Sequence, residues 1–269
     1  MSNNINVVIP IHEFNQEIDR PYLEKALNSV TNSETKPEKL TLVLTKELEY
    51  YNIDDLIKKH NITILNNNSG KTDFPSQINF FAKQNTTEYF LILELDDELS
   101  EKAITHFETY SNAYGQKVQN FMPIIADATI DDQLIAYRNI EVFSKSVFQD
   151  DNIGMLNNRI LQEYHLFNTS GGLFNTNAFN EIGGFKSSLN IAFIYEYFLR
   201  ATSNDQQFMV IPKVSLIHRN NREGSFLKSL NDRHISKEEV GFYYSAAKTE
   251  YFFTKERNLV YTGLVEEVK

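Results

Sequence analysis

Five consecutive apolar residues, Tyr89–Leu93, run straight into Glu94, Asp96, Asp97 and Glu98. An unbroken apolar run of this length suits a strand buried on both faces. A buried strand has no need of four carboxylates at its tip. At close range they repel one another and raise each other's pKa unless a cation sits among them. Two readings follow. The acids hold a hard divalent ion, Mg²⁺ or Mn²⁺, through one or two carboxylates and share it with a phosphate-bearing ligand. Alternatively they form the acidic first turn of a helix that Ser100 opens.

The segments before this run alternate between short apolar stretches and helical spacing. Asn6–Pro10, Leu40–Leu44 and Ile62–Leu65 read as strands. Pro21–Val30, Asp54–His60 and Pro75–Lys83 read as helices, with Pro21 in a first turn. This order predicts a largely parallel sheet with helices on both faces. Ligands of such sheets bind beyond the carboxyl ends of the strands. Pro10–Glu13, Thr45–Glu47, Asn66–Lys71 and Asp96–Glu98 all lie at such ends and are expected to share one rim.

Beyond Leu99 the pattern predicts a helix over Ser100–Tyr114 and strands at Phe121–Ala126 and Leu134–Val142, the two strands separated by an acidic turn at Asp131–Asp132. Further helices are expected at Asn157–His165, Thr176–Ile182 and Ile194–Thr202, with strands at Gly171–Phe174, Phe208–Ile211 and Val214–His218. Gly183 and Gly184 stop the Thr176 helix. Arg219–Ser225 reads as a charged loop. Ser236 and Glu239 form a capping-box pattern for a helix reaching about Phe253. The expected organisation is one domain over residues 1–225, with a nucleotide-binding half at 1–99 and an acceptor half at 100–225. A helical extension follows at 226–269.

The formal net charge of −10 argues against tracking a nucleic-acid backbone, which needs a basic surface. With no cysteine there are no disulfides, thiolate metal sites or thiol nucleophiles. The amino terminus lacks the pattern of a signal peptide, and no apolar run reaches the ~20 residues that span a bilayer. A cytoplasmic protein is the expectation. Peripheral membrane contact and homo-oligomerisation stay open.

Three features together resemble the family 2 glycosyltransferases, which have the GT-A fold. VVIPIHEFN, Val7–Asn15, looks like the family's opening strand. Asn68–Glu98 looks like its stretch from a glycine loop, through a helix bearing Asn79, to a strand ending in an acidic DXD-type motif. SGGLFNTNAFNEIGGF, Ser170–Phe185, looks like its acceptor-side segment. The resemblance covers roughly Asn6–Arg219. It implies a Rossmann-like, mixed and mainly parallel sheet flanked by helices, with a C-terminal helical tail. The implied reaction moves a sugar, in the manner of a hexosyltransferase, from a nucleotide-sugar such as a UDP-sugar to an acceptor hydroxyl with inversion. The acceptor is a glycan, a lipid-linked molecule or a protein. Asp96 and Asp97 match the last two acidic positions of the motif, and Glu94 stands where many members have the first Asp. They imply Mn²⁺ or Mg²⁺, with His218 as a further ligand. Pro10, His12, Glu13, Lys71 and Asp96 are the donor-side candidates.

The sequence also departs from the family. Thr45-Lys46-Glu47-Leu48 replaces the loop whose aspartate reads the base. The family's catalytic base sits about six residues before an Arg, and counting back from Arg200 reaches Ile194, which cannot take a proton. Glu196 is the nearest acid and is the candidate base, with an i,i+4 pair to Arg200 as its alternative role. A catalytically degenerate GT-A-fold protein that binds a nucleotide, sugar or protein partner is therefore the second hypothesis. A nucleotidyltransferase ranks third, because IPIHEFN lacks the glycine-rich, basic loop that chemistry requires.

Overall fold

A computed structural model of the chain describes residues 4–11, 14–129, 131–149, 154–156, 160–161, 164, 167–189, 191–219 and 237–252. In its first part β1 (Ile5–Ile11), β2 (Lys39–Leu44), β3 (Thr63–Asn66) and β4 (Tyr89–Ile92) alternate with helices. These are α1 (Gln16–Thr31), α2 (Leu48–Tyr51), α3 (Asp54–His60) and α4 (Phe74–Ala82). The second part holds β5 (Glu98–Leu99), α5 (Ala103–Tyr114), β6 (Asn120–Ala128), β7 (Leu134–Arg138), α6 (Ile140–Gln149) and β8 (Met155–Leu156). It continues with β9 (Leu173–Asn175), α7 (Thr176–Glu181), α8 (Phe193–Ser203), β10 (Phe208–Arg219) and α9 (Lys237–Phe252).

One sheet carries both halves, in the order β3-β2-β1-β4-β9-β6-β10-β5, with β7 added on β6 and β8 on β10. β1 to β4 pair in parallel, as their alternation with helices requires. β9 lies antiparallel between β4 and β6, and β10 runs parallel to β6. The carboxyl ends of β1, β2, β3, β4, β6 and β10 therefore face one rim.

Two apolar layers cover the sheet. Val7, Ile9, Leu42 and Leu91 point toward α1 and α5, while Val8, Val43, Phe90 and Ile92 point the other way. This is the period of two expected of strands buried on both faces. The second layer is rich in rings. Phe90 stacks on Phe174 at 5.5 Å, and Phe179, Phe185 and Tyr197 pack edge-on against Phe174. Each such side chain contributes about 1.5–3 kcal/mol on burial, so this cluster holds the two halves of the sheet together. Asn79 adds a polar staple. Its Nδ2 donates to the Phe185 carbonyl at 2.7 Å, and its Oδ1 accepts from the Phe185 N–H at 2.8 Å. Gly184, at φ +68°, leaves room for that amide; a Cβ there would lie 2.2 Å from Asn79 Oδ1.

Several boundaries differ from the expectations. α1 starts at Gln16, so Pro21 lies inside it and not in its first turn. Asn15 is the true N-cap, accepting from the N–H groups of Glu17 and Ile18, while Asp19 Oδ2 accepts from Asn15 N at 2.6 Å. The stretch Leu134–Val142 is a strand only to Arg138. Asn139 then turns through φ +66°, anchored by its Nδ2 on the Pro123 carbonyl, and a helix begins. Phe208–Ile211 and Val214–His218 form one long strand, whose register on β6 shifts on either side of Val214. The Asn157–His165 helix lies outside the described residues apart from Ile160, Leu161 and Tyr164. Ser236 and Phe253 lie outside them too; α9 packs on α8 through Ala247 and the Tyr195–Tyr244 ring pair. Among the described residues no helix is long and apolar enough to cross a membrane.

Candidate functional site

The acidic stretch does not open a helix. α5 begins only at Ala103, with Lys102 at its N-cap and no capping side chain, and Ser100 Oγ donates instead to the Val214 carbonyl. Glu98 and Leu99 form β5, paired antiparallel with Ile217 and Leu216 of β10. That register has a direct consequence. One step further along the antiparallel ladder, Asp97 meets His218, and His218 Nδ1 lies 2.8 Å from Asp97 Oδ1. Both residues are buried, Asp97 completely. Asp97 Oδ2 is enclosed and, among the described residues, has no hydrogen-bond partner.

Neighbouring strand ends complete the cluster. Asp127 of β6 stands opposite His218 in the ladder. It accepts a forked ion pair from Arg138, diagonal to it on β7, with Nε 2.6 Å from Oδ2 and Nη2 2.5 Å from Oδ1. Arg219 is buried and bridges Glu98 at 2.5 Å and Asp132 at 2.6 Å, tying β5 to the β6–β7 turn. None of these four pairings was visible in the sequence. Asp97–His218, Arg219–Glu98 and Arg219–Asp132 join residues 87 to 121 positions apart, and Asp127–Arg138 joins residues 11 apart; the pairing of strands brings each together.

The electrostatics follow from crowding. Burial pushes the Glu94 carboxyl up to about 8, and the charges of Asp97 and Asp96 add to the rise, opposed by His218 and Arg138. For His218, burial alone would lower the pKa; the Asp97 charge and its hydrogen bond act the other way, and the net shift is upward. Glu94 yields a pH test. Its folded pKa lies above the unfolded value of 4.5, so its contribution to stability is complete below pH 4.5 and is lost as pH rises toward 8. Glu94→Gln is expected to raise the melting temperature in EDTA at pH 8 and to leave it nearly unchanged at pH 4.5. Parallel melting curves at the two pH values check this; an equal shift at both would exclude the assignment.

The other candidates distribute as follows. Pro10 is buried in β1, opposite Val43 of β2. His12 and Glu13 lie outside the described residues. Lys71 is exposed at the rim, in the β3–α4 loop. Asn67 shapes that loop: its Oδ1 accepts from Ser69 N and its Nδ2 donates to the Lys71 carbonyl, with Gly70 at φ +76° between them. In the β2–α2 loop the N–H groups of Thr45 and Lys46 donate to the Tyr51 hydroxyl, and the Lys46 ammonium sits 3.7 Å above the Tyr50 ring.

Glu196 belongs to a different network. It lies in the first turn of α8, which starts at Phe193, one residue before the expected start. Arg200 Nε donates to Oε1 at 2.8 Å and Nη2 to Oε2 at 3.0 Å, while Lys186 Nζ is 3.2 Å from Oε1. Arg200 also donates to the carbonyls of Ile182 and Gly184. This is the i,i+4 pair, fully buried on the carboxylate side. Ile194, at the position of the family's base, is buried in the apolar layer.

The rim offers part of a divalent-ion site, the Asp97–His218 pair. Among the described residues no three His, Asp or Glu side chains are grouped as a complete cage. Mg²⁺-type sites do not need one, because substrate phosphates and water supply the remaining ligands. Asp97 and His218 already stand together, and among the described residues one buried oxygen of Asp97 lacks a protein partner. Asp96, next to Asp97 in the chain, is buried as well.

No protein-family model matches the chain, and no curated protein matches its sequence. Solved structures do match its fold. TarS of S. aureus, residues 1–349 in complex with UDP-GlcNAc, superposes with a TM-score of 0.60 at 16% identity over 84% of this chain. The chain spans 60% of that structure's length. The same protein in complex with UDP gives 0.58 at 14% identity over 88% of this chain and 73% of the other. At such identities the likeness concerns the backbone. With four parallel strands leading to an acidic tip, an antiparallel β9 and a returning β10 that delivers a histidine to that tip, this chain has the GT-A fold.

Proposed function

We propose that this protein is a glycosyltransferase that binds a nucleoside diphosphate sugar, of the UDP-sugar type, at the carboxyl-end rim and passes the sugar to an acceptor hydroxyl with inversion. The observation that carries the reading is the buried Asp97–His218 pair, with a carboxylate oxygen that has no partner among the described residues, at the ligand-binding edge of a fold shared with UDP-GlcNAc and UDP complexes. Asp96, Asp97 and His218 would hold Mn²⁺ or Mg²⁺. The ion's chemistry is to neutralise charge on the departing diphosphate. Lys71, exposed in the loop after β3, would meet a phosphate. Pro10, in the first strand, and His12 and Glu13, which come after it in the sequence, are proposed to line the donor side.

In the transfer, the acceptor oxygen attacks the anomeric carbon from the face opposite the diphosphate. A new carbon–oxygen bond forms as the old one breaks, its electron pair leaves with the diphosphate, and the acceptor proton passes to a base. Glu196 can take that proton only by giving up its contacts to Arg200 and Lys186. This favours the second reading, a GT-A-fold protein that binds a nucleotide-sugar without turning it over.

Melting curves with UDP-GlcNAc, with Mn²⁺ and with both, followed by an assay for released UDP, test the proposal. A joint shift larger than the separate ones, together with UDP release, is the expected result. A joint shift with no release, whatever the acceptor, supports the binding protein. No shift with any nucleotide overturns both.

A further inference from the structure

At the end of the sheet opposite the rim, α1 and α3 finish close to the starts of β2 and β3. Thr31 closes α1 and His60 closes α3. A cavity of about 410 Å³ lies there, with Thr31, Lys36, Glu38, Lys39, His60 and Thr63 in its wall. His60 is only 8% exposed. Its Nδ1 lies 3.0 Å from Thr31 Oγ1, and that hydroxyl donates to the Leu27 carbonyl at 3.0 Å. The lone pairs of the hydroxyl therefore accept from Nδ1–H, which leaves Nε2 as the bare nitrogen of a neutral ring. Nε2 is enclosed, and among the described residues it has no hydrogen-bond partner.

The surroundings do not compensate a proton on that nitrogen. Lys59 precedes the ring on α3 and holds Glu24 of α1 at 2.8 Å. The α1–β2 connection brings Lys36, bonded to the carbonyls of Thr31 and Ser33, and Glu38. Lys39 of β2 donates to Thr86 Oγ1 at 2.7 Å. Burial and then the Lys59 charge hold the imidazole below its ordinary pKa, opposed by Glu24. Two ion pairs, Lys59–Glu24 and Arg20–Asp55, tie α3 to α1. Hydrogen bonds from Lys59 and Arg20 keep these two carboxyl groups below their usual values of 4.5 and 3.8. Both pairs therefore stay ionised between about pH 5 and 8, and of the groups named here only His60 changes charge in that range.

We propose that His60 is an acid-sensitive catch, whose neutral ring pins α3 and the edge strand β3 against α1 and whose protonation releases them. β3 is the outer strand of the sheet and, among the described residues, pairs with β2 alone. α3 is a short unit bounded by Asn52 and Asn61, at φ +48° and +51°. In the closed state a protonated Nε2 would be a buried donor without an acceptor; in the open state water accepts from it. The folded pKa lies below the unfolded value of 6.5, so the hold is complete above pH 6.5 and is lost as pH falls through the folded value. The far end of β3 leads into the Asn67–Lys71 loop, so release of the strand reaches the rim.

Hydrogen–deuterium exchange of residues 54–66 in the full chain, at pH 7.5 and pH 5.5 and corrected for intrinsic rates, tests the catch. Exchange there is expected to be ~5- to 10-fold faster at pH 5.5, the span for an open-state imidazole of ordinary pKa against a closed state that resists the proton. His60→Asn keeps an amide that can stand in for Nδ1–H at Thr31 but cannot take the proton. It is expected to shrink the acceleration to under ~2-fold. His60→Gln serves should the first variant fold poorly. Nitrogen-15 shifts of the His60 ring in the wild type give a reading that needs no variant: the ring is expected to titrate with a midpoint below 6.5 and to carry its proton on Nδ1 when neutral. A midpoint at or above 6.5, exchange of residues 54–66 that does not change with pH, or an equal acceleration in wild type and variants overturns the proposal.

Discussion

Arg200→Ala is expected to destabilise the protein by about 3–5 kcal/mol, the cost of leaving a buried charge without its partner. Glu196 is completely buried, and Arg200 holds both of its oxygens. Arg200 further ties the carbonyls of Ile182 and Gly184, at the end of α7, to α8. Removing the guanidinium strands a carboxylate and two carbonyls at once. Lys186, at 3.2 Å and 37% exposed, cannot compensate; Lys186→Ala is expected to cost under about 1 kcal/mol, as half-exposed pairs do. Urea denaturation midpoints of the two variants provide the measurement. The Glu196→Gln/Arg200→Met double substitution should recover part of the loss, because it removes both charges together. Glu196→Gln alone separates the two roles of this residue. Lower stability with turnover retained marks a structural carboxylate, and a fall in turnover of ~100-fold or more at unchanged stability would mark the general base.

Asp97→Ala is expected to remove the Mn²⁺-dependent part of donor binding. A ligand at 100 times its Kd stabilises the native state by about 2.7 kcal/mol. In wild type that gain should depend on both UDP-GlcNAc and Mn²⁺, since Asp97 and His218 supply few ligands without the diphosphate. In the variant Mn²⁺ should add nothing to the shift produced by UDP-GlcNAc alone. An undiminished joint shift would show that the acidic tip holds no ion. In EDTA the same substitution probes His218. Its folded pKa is raised, so the stability drawn from Asp97 is fully present below pH 6.5 and is lost as pH rises through the folded value. The cost of Asp97→Ala in EDTA should therefore be larger at pH 5.5 than at pH 8.5, which a pair of denaturation series would reveal.

The sequence by itself determined the α/β character, the parallel strands β1 to β4 and the rim. Local pattern decides these: apolar runs such as Tyr89–Leu93 have to be buried on both faces, and helices between them force parallel crossovers. It also marked Asp96, Asp97 and His218 individually, since charge at a strand end stands out against an apolar run. The tertiary structure decided what those residues do to one another. Only the β5–β10 pairing excludes a helix start at Glu98 and sets Asp97 against His218, 121 positions apart. Only the β6–β7 register joins Asp127 to Arg138 and turns Leu134, Ile135 and Tyr137 outward. Glu196 shows the same division: its spacing to Arg200 permitted a pair, whereas its complete burial in the first turn of α8 was settled by packing. Pairing between distant strands carries little signal in a single sequence, because it depends on register, and a shift of one residue turns every side chain to the other face.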